Sequence, residues 1–145
     1  MVISNTTRHV GIVVNDLAKT RDFWINTLGF KLHIEAIEVS PYIDDLLSIR
    51  DPELTTVKLI DSKGFIIELL KFGKYQVNNS WSGDLKTTGL THIALTIDNL
   101  EELVDNLSKQ NYQMLSEIKT SPDNKVKVVF VRGPEGIMLE LVQEM

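Results

Sequence analysis

Four side chains of this sequence have types and spacing suited to holding a divalent cation: His9, Glu68, His92 and Glu140. Each histidine opens a short apolar run. Arg8-His9-Val10-Gly11-Ile12-Val13-Val14-Asn15-Asp16-Leu17 parallels Thr91-His92-Ile93-Ala94-Leu95-Thr96-Ile97-Asp98-Asn99-Leu100. Each glutamate sits in a second matched pair of segments, Gly64-Phe65-Ile66-Ile67-Glu68-Leu69-Leu70 and Gly136-Ile137-Met138-Leu139-Glu140-Leu141-Val142. A lone histidine in an apolar run is ordinarily a structural residue. Two at equivalent repeat positions, each matched with a glutamate at an equivalent position, point to ligation. Side chains alternate along a strand, so Glu68 shares a face with Ile66 and Leu70, and Glu140 with Met138 and Val142. A carboxylate among apolar neighbours is costly to bury unless its charge is compensated, and a metal cation compensates it directly. Imidazole and carboxylate donors suit Zn, Ni, Co, Fe or Mn, and donor type does not choose among these.

The elements that position these residues repeat as well. The histidine-led runs are short and rich in Val and Ile, which predicts buried strands. A helix follows each. In the first half it spans residues 17–28, with Leu17, Arg21, Trp24 and Leu28 on one face, Asp16 as N-cap and Gly29 as stop. In the second half Leu100, Leu103, Val104 and Leu107 form the apolar stripe, and Asp98 with Glu101 has the spacing of a capping box. Three strands follow each helix, near residues 29–36, 54–61 and 65–71, then near 113–118, 126–132 and 138–143. Ser62-Lys63-Gly64 and Gly133-Pro134-Glu135-Gly136 are turn signals before the final strands. The expected fold is α+β, with two βαβββ modules forming a curved, cup-shaped mixed sheet. Module one covers about residues 5–73, a polar linker about 74–88 and module two about 89–145, as a single domain over 1–145. The histidines lie 83 positions apart (92 − 9) and the glutamates 72 (140 − 68), so the first module is longer by 11 between its two donors. The surplus falls in residues 37–53, read as an irregular loop that covers a pocket.

The bulk properties bound the partners. The chain has 145 residues, 43% hydrophobic and 24% charged, as a folded globular protein does. Its net charge of −5 and scattered Lys and Arg give no basis for nucleic acid or anionic membrane as partner. No apolar run reaches the length of a membrane span. Met1-Val2-Ile3-Ser4-Asn5 lacks the basic start and apolar stretch of a signal peptide, and a cytoplasmic location is expected. The absence of Cys removes disulfides and thiolate chemistry.

The histidine-led first strand, the Phe23-Trp24 to Leu28-Gly29-Phe30 stretch and the paired Gly-x-x-x-Glu-Leu endings resemble the vicinal oxygen chelate superfamily over nearly the whole chain. That superfamily includes glyoxalase I, methylmalonyl-CoA epimerase, extradiol dioxygenases and fosfomycin-resistance enzymes. The resemblance implies paired modules around one divalent metal, with ligands on the first and last strands of each module. Those positions fall on His9, Glu68, His92 and Glu140. It further implies a lyase or isomerase that acts on a small alpha-hydroxy or alpha-keto substrate through a metal-stabilised enediolate. Glu140 is then the catalytic base and Glu68 its counterpart on the opposite face. A homodimer is expected, with the site built within one chain or across two.

Departures narrow the member. Bacterial glyoxalase I carries an arginine four residues after its first histidine and an asparagine four after its first glutamate. Those positions are Val13 and Phe72 here, which argues against glutathione as cosubstrate. The epimerases have Gln where this chain has Glu68, and Asp51 or Glu53 are the candidates for their second acid. An extradiol-type dioxygenase uses two histidines and one glutamate, so Glu68 counts against that alternative. A non-enzymatic, bleomycin-resistance-like binding protein is the third reading, against which four retained ligands weigh. Other residues have plainer readings. Trp24, Phe23 and Phe30 are core; His33 is a strand or rim residue; Asp44-Asp45 is solvated; Arg50 and Lys58 lie on exposed surface unless they meet an anionic substrate; Tyr42 is a lid candidate.

Overall fold

Both histidine-led runs become strands because their β-branched residues fit a pleated surface with one face covered. The computed structural model describes residues 5–75, 77, 85–86 and 88–145. The chain divides into two compact units, Met1–Asn79 and Ser80–Met145. Much of the stretch read as a linker, namely residue 76, residues 78–84 and residue 87, lies outside the described residues, as does the 1–4 segment.

The first unit runs β1 (Val10–Val13), α1 (Leu17–Asp22), β2 (Lys31–Ile37), α2 (Tyr42–Leu47), β3 (Leu54–Ile60) and β4 (Ile66–Phe72). Its four strands form one sheet in the order β1-β4-β3-β2. The β1–β4 pair is parallel, and the β3–β4 and β2–β3 pairs are antiparallel. One face is fully covered: Val57, Leu59, Ile67 and Leu69 are buried together with Phe23 and Trp24. Trp24 meets Phe23 and Phe30 edge-on, with ring centroids 6.3 and 5.0 Å away, so the three aromatics read as core are core. The helix starts where expected, with the Asp16 carboxylate accepting from the Lys19 amide at 2.9 Å. It does not run on as one α-helix. After Asp22 the chain widens into a π-helical turn over Phe23–Thr27, and the side chains it buries are Phe23 and Trp24. Gly29 follows at φ 79°, which suits the residue that ends a helix.

Residues 38–53 depart from the expectation of an irregular loop. They contain α2, ended by Ser48 in the left-handed region. Asp44 is structural rather than merely solvated. Its carboxylate accepts from Ser40 Oγ at 2.5 Å and from the Asp51 amide at 2.8 Å. These hydrogen bonds hold the Asp44 carboxyl below its ordinary pKa. Asp51 and Glu53 both pair with Lys74, and Tyr75 donates to the Arg50 carbonyl, so the segment is fastened to the chain just beyond β4. Tyr42 is 65% exposed.

The second unit runs β5 (Ile93–Thr96), α3 (Leu100–Lys109), β6 (Gln113–Met114), β7 (Lys119–Thr120), β8 (Val126–Arg132) and β9 (Met138–Glu144). Its sheet has the order β5-β9-β8-β6, with β7 also paired to β8. Of the single strand expected over residues 113–118 only Gln113–Met114 is strand, and a second short piece follows at Lys119–Thr120. Leu100 and Leu107 of α3 are buried, as are Val129, Val131, Leu139 and Leu141 of the sheet. The helix cap lies one residue later than expected. Asn99, not Asp98, accepts from the Glu102 amide, and its own side chain donates to the Glu102 carboxylate at 2.8 Å. Gln143 on β9 accepts from the Leu100 amide at 2.7 Å, a partner supplied from 43 residues away.

Candidate functional site

In each unit the first and last strands are parallel neighbours, and this register brings histidine and glutamate together. Gly11 stands opposite Glu68, and Ala94 opposite Glu140. The histidine comes two residues before the small residue, on the same face, one step ahead of the strand proper. It therefore reaches diagonally across a position with little or no side chain. His9 Nε2 lies 3.0 Å from Glu68 Oε2, and His92 Nε2 lies 3.1 Å from Glu140 Oε2. At Gly11 a Cβ would stand 3.2 Å from Leu70 Cδ1 and 4.0 Å from Glu68 Oε2, tight only against the leucine, and the second unit makes the same approach with Ala94. The structure thus brings together the four sequence-predicted donors as two like pairs, one in each unit. Among the described residues no group of three or more His, Asp or Glu side chains placed to hold a metal ion occurs.

The surroundings of the two pairs differ. Lys58 is the cross-strand partner of Glu68, and its Nζ lies 2.9 Å from Glu68 Oε1. Both carboxylate oxygens of Glu68 are therefore engaged. The equivalent partner of Glu140 is Phe130, 72 positions later (130 − 58). Its ring packs edge-on to His92, centroids 5.2 Å apart. The Glu140 side chain is also more open, 27% exposed against 12% for Glu68. His92 has a further neighbour, Thr91, whose Oγ1 lies 2.8 Å from Nδ1. Nε2–H donates to Glu140 in this pair, whereas a tautomer with Nδ1–H donating to Thr91 would leave the Nε2 lone pair for a cation, as a metal-binding imidazole requires.

A sequence profile of the Glyoxalase/Bleomycin resistance protein/Dioxygenase superfamily matches residues 8–130. The chain belongs to this superfamily. Its relatives include the Bacillus subtilis protein YwbC, described as uncharacterized, 26% identical over 136 residues that cover 93% of this chain and 94% of that one. The lactoylglutathione lyase of Shigella flexneri is 24% identical over 139 residues, covering 94% of this chain and 90% of the enzyme. Among solved structures, a glyoxalase family protein from Bacillus cereus superposes with a TM-score of 0.89 at 21% identity, covering 100% of this chain and 99% of that one. Glyoxalase I from Zea mays gives 0.71 at 24% identity, over 94% of this chain and 44% of the maize protein. These likenesses show the glyoxalase fold.

Within this glyoxalase-superfamily chain, two neighbours of the donors were not legible as such. Phe130 lies on β8 beside His92, and Thr91 directly precedes that histidine in the repeated segment, with no signal in either residue type of contact with the imidazole. Lys58, expected on exposed surface, has a side chain only 25% exposed and touches a predicted ligand. Its signal was present, since it lies ten residues before Glu68 in a hairpin whose turn the sequence marks. His33 lies exposed on β2, with no place in either pair. Asp51 and Glu53 are paired with Lys74. No helix among the described residues is long and apolar enough to cross a membrane.

Proposed function

We propose that this protein is a divalent-metal-dependent lyase or isomerase of glyoxalase or epimerase type, acting on a small alpha-hydroxy or alpha-keto substrate. One observation carries the reading: the same imidazole nitrogen and the same kind of carboxylate oxygen meet at 3.0 and 3.1 Å in both halves of the repeat. Two donors about 2.1 Å from one ion and about 90° apart stand about 3.0 Å from each other, so each pair fits an edge of a coordination shell. His9, Glu68, His92 and Glu140 are the residues that would hold one ion between them. Such an ion supplies Lewis acidity toward two adjacent substrate oxygens. The chain's own part is proton transfer at the carbon beside the carbonyl. Glu140, the more open carboxylate and the one with no partner but His92 among the described residues, takes that proton. Glu68 is assigned the return of the proton on the opposite face. Kinship with lactoylglutathione lyases favours this chemistry, while Val13 and Phe72 in place of polar residues argue against glutathione as the carrier. The reading includes a homodimer.

The test is metal content per chain after purification without added metal, followed by reconstitution. About one divalent ion per chain is expected, with uptake lost in His9→Ala and in His92→Ala. Failure of the wild-type protein to take up Zn, Ni, Co, Fe or Mn would sink the proposal.

A further inference from the structure

We propose that the exposed apolar face of residues 37–46 is the surface on which a second copy of this chain docks, patch against patch across a twofold axis. The inference gives a surface to the homodimer included in the reading above, and owes nothing to a metal. Ile37 at the end of β2, Val39 beyond it, and Tyr42 and Leu46 one turn apart on α2 are each at least 62% exposed. The inner side of the same helix is ordinary, with Ile43 buried. A surface helix turns its polar residues outward, so Tyr42 and Leu46 on the outer side need a reason. They are also held out. The Asp44 carboxylate accepts from Ser40 and from the Asp51 amide, and Lys74 pairs with Asp51 and Glu53. A lid that must swing is not fastened in this way, whereas a docking surface gains from being formed in advance.

Three observations make the occupant a second copy. The first is area. Ile37, Val39, Tyr42 and Leu46 together present about 500 Å², and Leu32 and Ile34 on the edge strand β2 extend them toward the roughly 800 Å² per partner of a standard interface. The second is the match. An apolar surface needs an apolar counterpart, and in the second unit the exposed large apolar residues among those described, such as Leu90, Leu115 and Met145, are spread singly. The patch is therefore its own best counterpart, as a twofold contact requires. The third is charge. Glu38 and Asp44 are engaged within the chain, by Thr56 and by Ser40 and Asp51, while Asp45 and Arg50 stand exposed with opposite signs. A twofold crossing can set Asp45 of each copy beside Arg50 of the other, which offsets the self-repulsion of a chain of net charge −5.

The experiment is sedimentation equilibrium of the full chain across micromolar concentrations. The wild type is expected at twice the chain mass of 16.4 kDa. Tyr42→Glu and Leu46→Glu put a charge into the contact and should each raise the dimer dissociation constant about 30-fold or more, as substitutions at an interface centre do. Leu115→Glu, the same kind of change on the second unit, should leave it unaltered. Circular dichroism checks that each variant folds, and Tyr42→Ser or Leu46→Ser replaces one that does not. A wild-type monomer throughout that range overturns the proposal together with the homodimer and leaves the face to another protein. A dimer that survives both charge substitutions overturns this surface and leaves the homodimer standing on a different one. Equal weakening by Leu115→Glu overturns it as well, since the effect would not belong to this face. The metal-site reading is untouched by any of these results.

Discussion

The two units build one donor pair in different company. In the first, Glu68 is held by His9 on one oxygen and by Lys58 on the other, beside a glycine. In the second, Glu140 has His92 alone among its described neighbours, beside an alanine, and an aromatic ring flanks the imidazole. What is common follows from strand register, because parallel pairing of first and last strands puts the same two positions face to face in each unit. What differs lies on the strand before the last, β3 or β8, which supplies the cross-strand neighbour. Repetition thus preserves the imidazole–carboxylate pair, while the neighbouring strand is free to give one carboxylate a charge partner and leave the other open.

That contrast can be broken most severely at Glu140. In metal-reloaded protein, Glu140→Gln should lower turnover of the substrate by about 10²- to 10⁴-fold, the usual worth of a positioned base. Glu68→Gln, already tied to an ammonium, should cost less. Equal losses in steady-state assays would erase the functional difference between the units. Next in size is Thr91→Val, which removes the partner of His92 Nδ1. Metal affinity measured by competition with a chelator should fall about 10- to 100-fold. Gly11→Val sharpens the comparison of the two small residues. Its side chain must displace Leu70 and crowd Glu68, and thermal unfolding should show a loss of about 1–3 kcal/mol. Ala94→Gly, which only removes a methyl, should leave the pair intact and cost about 1 kcal/mol or less.

The smallest effect concerns the fastening of residues 38–53, for which the second unit has no counterpart. Asp44 has a lowered folded pKa, so its contribution is present above the unfolded value of about 3.9 and is lost as pH falls through the folded value. Lys74 is raised by its bond to Asp51, so its contribution is present below about 10.4 and is lost as pH rises through the folded value. Hydrogen exchange at the Asp51 amide should therefore be slowest, relative to its intrinsic rate, between those limits and lose protection at low pH. Protection unchanged from pH 6 to pH 3 would remove Asp44 from the fastening.

Much of this was legible in the amino-acid order. Periodicity and β-branched content placed seven of the nine strands close to their true bounds, because those signals are local and one face of each sheet must be covered. Asp16 and Gly29 marked the limits of the first helical segment for the same reason. The stretch 113–118 was misjudged because two very short strands carry too few residues for alternation to register. The Asn99 cap was missed because Asp98 and Asn99 both suit the role, and backbone direction chose between them.

The repeat by itself determined which histidine pairs with which glutamate and the order of elements that carries them. Equivalent positions in two copies of one supersecondary unit must occupy equivalent places on their strands. Only tertiary structure decided that Lys58 faces Glu68, that Phe130 flanks His92, and that Asp44 fastens a loop seven residues long in its reach to Asp51. Each of these depends on which residues stand opposite one another across strands or turns. A shift of one residue in register would send every side chain to the other face, and that choice is made by the packing of the whole sheet.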